Sequence, residues 1–172
     1  MNRKLFPLVP CLLALLSAEP TTAATGTAPS RSLAPTIVGG QWTWVGGLDH
    51  SPQSEPYGVY GTKGVPAPEN APGARHSFVS WTDANGNFWL FGGEGHGAAG
   101  DGRLNDLWKW DGSAWTWMSG SDEPAGYGVY GTRGIAAPGN VPGARSGSVS
   151  WTDASGNLWL FGGIGNATIS QG

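Results

Sequence analysis

The feature that most constrains how this chain can fold is a long internal repeat. Residues 57–93 return as residues 127–163, an offset of 70 positions (127 − 57), and 27 of the 37 paired positions are identical. Such close self-similarity at a fixed long period is the signature of a repeat architecture, in which each unit packs against its neighbours. The sequence therefore predicts two copies of one structural unit, at about 57–126 and 127–172.

Each copy is predicted to consist of short β-strands. The 30 glycines and 13 prolines indicate many turns and leave little room for helix. In the first copy we expect strands at 76–81, 88–91, 104–111 and 115–118. The strand at 88–91 is apolar on both faces, so it needs cover on both faces, and the 10 tryptophans supply apolar bulk for that packing. The pattern predicts an all-β fold of stacked four-stranded sheets.

The turn between the first two strands of the copy has two possible interpretations. Asn85-Gly86 tolerates positive φ at low cost and suits a tight hairpin. Asp83, Asn85 and Asn87 also resemble the start of a calcium-binding loop, but the glycine and the distal glutamate of that loop are missing. The sequence therefore favours a plain hairpin.

Three motifs of the first copy resemble the kelch repeat. They are Phe91-Gly92-Gly93 after the second strand, Leu104-Asn105-Asp106-Leu107-Trp108 in the third, and Trp115 in the fourth. The resemblance covers residues 41–163 and is to the galactose-oxidase-like class of β-propellers. Within that class, the repeat unit is most similar to secreted bacterial kelch-repeat proteins. It implies kelch-type β-propeller blades. A complete propeller of that class has about six or seven blades, whereas this chain would hold one full four-stranded blade plus partial blades, an incomplete or truncated ring.

The beginning of the chain resembles a secretory signal peptide. Arg3 and Lys4 precede an apolar run at 5–18, and small residues follow up to Ala24. The run is too short to span a membrane. We expect a signal peptide at 1–24, a flexible linker at 25–40 rich in small residues and proline, and propeller repeats at 41–172. The predicted location is secreted or periplasmic.

Composition argues against several classes of function. The net charge of −3 and the lack of a basic cluster disfavour a nucleic-acid partner. The only cysteine, Cys11, lies inside the predicted signal peptide, so the mature chain could not form the tyrosine–cysteine copper cofactor of galactose-oxidase-like enzymes. The histidines His50, His76 and His96 lack the close spacing common in metal sites. No cofactor, metal site or catalytic residue is predicted.

Comparison of the two copies identifies candidate binding residues. Positions that are identical in both copies are expected to serve the fold, whereas the first copy alone carries a charged cluster in its glycine-rich loop at 92–102 and just after it. In an antiparallel blade this loop leaves from the same end as the long links at 46–73 and 119–143, which contain all four tyrosines. The predicted ligand-binding residues are Tyr57, Tyr60, Tyr127, Tyr130, Glu94, His96, Asp101 and Arg103. The alternatives are tyrosines that pack the links against the blade, and a solvated loop.

Two classes of function fit these residues. The first is a secreted, non-catalytic kelch-repeat binding or scaffold module with a protein or carbohydrate ligand, since tyrosine can stack on sugars or on partner side chains. The second is a remnant of a carbohydrate-acting kelch enzyme, galactose-oxidase-like or sialic acid epimerase-like. The missing cysteine and the absence of a paired acid–base motif favour the first. The apolar strand edge of the incomplete second blade further predicts self-association.

Overall fold

The computed structural model describes residues 14–15, 43–46 and 57–167. All regular secondary structure in these residues is β-strand in antiparallel sheets, which confirms the all-β prediction. They include no helix with the length and apolar character that a membrane crossing requires. The predicted signal peptide and linker lie outside the described residues, apart from a two-residue strand at Ala14–Leu15 that pairs with Thr43–Trp44.

The strands of the described residues are named in chain order. They are β1 (Ala14–Leu15), β2 (Thr43–Trp44), β3 (Arg75–His76), β4 (Val79–Thr82), β5 (Phe88–Phe91), β6 (Glu94–His96), β7 (Asp101–Arg103), β8 (Leu107–Trp110), β9 (Trp115–Ser119), β10 (Arg145–Ser146), β11 (Val149–Thr152), β12 (Leu158–Phe161) and β13 (Ile164–Gly165).

The first copy forms a four-stranded antiparallel sheet in the order β4-β5-β8-β9. The hairpin predicted between its first two strands is confirmed, with Val79 opposite Phe91 and Thr82 opposite Phe88. The predicted strand at 76–81 is instead divided into β3 and β4, because Ser77 has a positive φ of 53° that turns the chain between them.

Strand β5 is covered on both faces, as its apolar sequence predicts. On one face Leu90 packs with Trp108 and Tyr60, and on the other face Phe91 packs with Val79 and Trp81. The second cluster also receives leucine side chains from β12 of the second copy. The core is therefore shared between the two copies.

The second copy begins in the same way, with β11 and β12 paired in the register of β4 and β5. It lies against β4, where Trp81 Nε1 donates to the Trp159 carbonyl at 3.1 Å. Main-chain hydrogen bonds also join the copies: Gly93 N–H donates to the Arg145 carbonyl (2.9 Å), and Arg145 N–H to the Leu104 carbonyl (3.0 Å). Among residues 57–167 the sheets are separate and form no closed ring.

The glycine-rich segment predicted as a loop contains a second, smaller sheet. Strands β6 and β7 form a hairpin, and β6 also pairs with β3, with His76 opposite Glu94. A side-chain carbon at Gly95 would overlap the Ala74 carbonyl and would lie 2.6 Å from the Arg75 Cα. Glycine is required here because two strands approach closely, and this use of glycine within a strand differs from a loop.

Candidate functional site

The hairpin β6–β7 brings the four predicted charged residues together. Glu94 is opposite Arg103, and His96 is opposite Asp101. Opposed residues on an antiparallel pair project from the same face, and so do residues two positions apart along one strand. The four side chains therefore share one face of the hairpin, where Arg103 Nε lies 4.0 Å from Glu94 Oε2.

Main-chain hydrogen bonds hold this hairpin between the two long links. Gly58 N–H in the first link donates to the Gly97 carbonyl at 2.8 Å. On the other side, Ala98 N–H donates to the Asp122 carbonyl of the second link, and Ala125 N–H donates to the Arg103 carbonyl, both at 2.7 Å. The hairpin and the links thus meet at one end of the sheet, as the topology predicts.

The link also places a tyrosine beside the charged residues. The Tyr57 ring stands edge-on to the His96 ring, with 5.0 Å between centroids and 68° between planes. Tyr57 is 51% exposed, and Asp101 is exposed as well. We call the surface formed by Tyr57, Glu94, His96, Asp101 and Arg103 the hairpin face.

The other three tyrosines have different environments. Tyr60 is only 5% exposed, and its ring packs between the rings of Trp108 and Trp117. Its hydroxyl donates to Asp106 Oδ2 at 2.6 Å, so Tyr60 packs the link against the sheet. Tyr127 and Tyr130 are exposed, and the Tyr130 hydroxyl accepts a hydrogen bond from Arg145 Nη2 at 3.0 Å.

A buried cluster centred on Asp106 was not found by sequence reasoning. Arg75 donates to the two carboxylate oxygens of Asp106 at 2.6 and 2.8 Å, and Trp108 Nε1 donates to Oδ2 at 2.7 Å. Burial alone would lower the pKa of Arg75, but the Asp106 carboxylate outweighs it and raises that pKa. Burial, and then the charge of Asp106, raises the pKa of the Tyr60 hydroxyl well above its ordinary value. Arg75 recurs as Arg145 in the second copy, and this recurrence was the signal in the sequence that could have identified the cluster.

The described residues do not assemble a metal centre. No group of three or more histidine, cysteine, aspartate or glutamate side chains among them is placed to hold a metal ion. His76 Nδ1 lies 3.0 Å from Ser77 Oγ, and His50 lies outside the described residues.

A separate concavity of about 290 Å³ lies beside the outer strands of the four-stranded sheet. Its lining includes Pro68, Asn70, Pro72, Trp110 and Trp115. None of the predicted binding residues lines it, so the hairpin face and this cleft are distinct surfaces.

Comparisons with known proteins identify no relative of this chain. No protein-family model matches it, and no curated protein or solved structure matches it.

Proposed function

We propose that this chain is a secreted, non-catalytic kelch-repeat module that binds a protein or carbohydrate ligand at the hairpin face. The observation that carries the proposal is the half-exposed Tyr57 ring, set edge-on to His96 beside the charged side chains of the hairpin. A tyrosine with an apolar ring and a polar tip, next to charged hydrogen-bonding groups, is typical of binding surfaces.

The electrostatics of the hairpin face also favour binding. The contact between Arg103 and Glu94 is long, at 4.0 Å, and both side chains are partly exposed. Exposed ion pairs of this kind contribute little to stability, about 0–1 kcal/mol. A ligand can therefore replace the pair with its own hydrogen bonds at little cost, while the main-chain bonds to both links keep the hairpin in place.

For the architecture, we propose that the four-stranded sheet is one propeller blade and that β11 and β12 are the inner strands of the next. Support comes from the 70-residue offset between the copies, from the matching registers of their first two strands, and from the core they share across β5. A radial stack of sheets would give each blade this two-sided cover.

The binding proposal can be tested with the full chain against panels of soluble glycans and peptides. For any ligand found, we expect Tyr57→Ala to weaken binding at least about tenfold, as truncation of an interface anchor does. Tyr127→Ala is the matched control, because Tyr127 is similarly exposed and the residue equivalent to His96 in its copy is Asn166. Binding that is insensitive to Tyr57→Ala and Asp101→Ala would contradict the proposal, and chemical conversion of the ligand would favour the enzyme remnant instead.

Export is a separate part of the proposal. N-terminal sequencing of the protein recovered from the producing cell should give a first residue near Thr25, after removal of the predicted signal peptide. Recovery of the chain from the cytosol with Met1 intact would contradict secretion.

A further inference from the structure

The cleft beside strands β8 and β9 is a candidate for a second binding site, and we call it the outer cleft. It has a volume of about 290 Å³, and its described lining belongs to the first copy and to residues 45–46. The side chains of that lining that matter here are Pro68, Glu69, Pro72, Trp110 and Trp115. Sites of about 300 Å³ are at the small end of the range for small-molecule ligands, so the outer cleft suits a ligand about the size of one ring.

The link that forms one wall of the outer cleft is fixed to the outermost strand of the sheet. Asn70 is only 3% exposed, and its Nδ2 donates to the carbonyls of Val65 and Trp115 at 3.1 and 3.0 Å. Ala67 also forms a β-bridge with Trp115. This wall is therefore held in place without a ligand, which lowers the entropic cost of binding one.

The two tryptophans of the outer cleft provide apolar surface and one unused donor. The centroids of the Trp110 and Trp115 rings are 5.5 Å apart, and their planes are tilted by 53°. A ligand placed between two rings needs about 7 Å, twice the contact distance of two carbon atoms, so it can only lie against this pair. Trp110 Nε1 is buried and donates to no acceptor among the described residues. A buried donor without an acceptor is costly, so the site favours a ligand that brings an acceptor.

Glu69 adds a charged acceptor that the described fold does not use. The residue is exposed and its carboxylate pairs with no described residue, and the second copy has Gly139 at the equivalent position. Glu69 is also the only charged side chain in the described lining. The outer cleft thus offers a carboxylate to a hydrogen-bond donor, and its described lining has no cation to attract an anion.

We propose that the outer cleft binds one unit of a neutral sugar. The apolar face of the sugar ring packs against the tryptophans, one sugar oxygen accepts from Trp110 Nε1, and a sugar hydroxyl donates to Glu69. A hydroxyl both donates and accepts, so a single neutral ring satisfies both groups of the site.

Two other classes of ligand match the outer cleft less well. An organic cation suits aromatic rings beside a carboxylate, but it brings no acceptor for the indole N–H of Trp110. A proline-rich peptide brings carbonyl acceptors, but proline has no N–H to donate to Glu69. The proposed sugar site shares no residue with the hairpin face, so each proposal can fail independently of the other.

The probes are the methyl glycosides of glucose, galactose, mannose and N-acetylglucosamine, titrated into the full chain with binding followed by saturation-transfer NMR. We expect saturable binding of at least one of them, with a Kd of about 1 mM for a ligand of this size. Glu69→Gln should weaken that binding at least about fivefold, because a hydrogen bond to a charged group is lost. Glu123→Gln is the matched control, since Glu123 is an exposed glutamate of the second link that lies outside the cleft.

Trp110→Phe keeps an aromatic ring but removes the unused donor, and it should also weaken sugar binding. Because Glu69 is exposed, Glu69→Gln decides the outcome even where Trp110→Phe disturbs packing. Failure of all four sugars to bind, or equal binding by Glu69→Gln and Glu123→Gln, would overturn the proposal. So would Glu69-dependent binding of tetramethylammonium or of a proline-rich peptide in place of a sugar. Sugar binding that is lost in Tyr57→Ala and kept in Glu69→Gln would assign the sugar to the hairpin face, so the proposed function would stand and this inference would fail.

Discussion

At the scale of single residues, one aspartate side chain accepts several hydrogen bonds within the first turn of each copy. Asp83 Oδ1 accepts hydrogen bonds from the N–H groups of Asn85 and Asn87, at 2.9 and 3.0 Å. Its Oδ2 accepts from Asn87 Nδ2 and Trp89 Nε1, both at 2.8 Å. Asp83, Asn85 and Asn87, whose spacing resembles that of a calcium loop, thus form hydrogen bonds with one another within the turn.

These bonds predict an acid-sensitive turn. Hydrogen bonds from Trp89 and Asn87 lower the pKa of Asp83 from 3.8 to about 2, and those from Asn157 and Trp159 do the same for Asp153. A carboxyl whose pKa is lower in the folded state stabilises it above pH 3.8, and this contribution is lost as the pH falls towards 2. Urea unfolding between pH 5 and pH 2 should therefore show a fall in stability.

The variant with both Asp83→Asn and Asp153→Asn should show a shallower fall over the same pH range. Asp101→Asn is the control, since Asp101 is exposed and accepts no such set of hydrogen bonds among the described residues. An unchanged slope in the double variant would show that these turns do not set the acid response.

Tyr60 and its counterpart Tyr130 in the second copy give a second prediction at this scale. Tyr60→Phe removes a buried hydroxyl that donates to the Asp106 carboxylate, and we expect it to lower the free energy of unfolding by about 1.5–3 kcal/mol. Tyr130→Phe removes the equivalent hydroxyl where it is exposed and should have little effect on stability. Chemical denaturation of both variants would check this, and equal losses would contradict the structural difference between the copies.

At the scale of elements, β5 is the centre of the packing. Leu90 is fully buried in the cluster with Trp108 and Tyr60. Leu90→Ala should therefore lower the free energy of unfolding by about 2–5 kcal/mol, the usual cost of such a deletion in a core. Leu160→Ala, at the equivalent position of β12, is only partly buried and should have a smaller effect in the same thermal and chemical melts.

Most strand positions and the first hairpin could be predicted from the sequence because alternation and turn residues act locally. The break at Ser77 and the start of β8 at Leu107 rather than at 104 could not. The hairpin β6–β7 could not be predicted, since glycine is equally suited to a loop and to close contact between strands. The sequence does not show that Gly95 lies against Ala74 and Arg75. Likewise, Tyr60 and Tyr130 stand in identical local sequences and differ because Asp106 and β8 cover only the first. The charged candidate residues were chosen because they differ between the copies, and their binding role stays a prediction. The contact of Tyr57 with His96 depends on tertiary structure.

At the scale of the whole molecule, the second copy exposes a large apolar surface. Phe161 is 70% exposed, and the rings of Trp151 and Trp159 stack on each other with both residues 47% exposed. Exposed apolar surface next to an unpaired strand edge promotes association between chains. We expect the 172-residue chain to self-associate with rising concentration.

Phe161→Lys should reduce this self-association in sedimentation experiments, because it places a charge on the apolar surface. Tyr127→Lys, which alters an exposed aromatic residue in the preceding link, should leave the association unchanged. A chain that stays monomeric at all concentrations, or two variants that behave alike, would contradict the prediction.

The joint between the two copies has an evolutionary consequence. Its hydrogen bonds from Gly93 to Arg145 and from Arg145 to Leu104 connect main-chain groups, and main-chain groups are the same whatever side chains a copy carries. Any unit that keeps this backbone path can therefore form the same joint, provided that glycine remains at position 92, where a side-chain carbon would lie 2.8 Å from the Arg145 carbonyl oxygen. Glu94 and His96 correspond to Ile164 and Asn166, so the residues of the hairpin face differ between the copies, whereas the joint uses main-chain groups that are common to all residues. A gene built this way can acquire new surfaces one unit at a time.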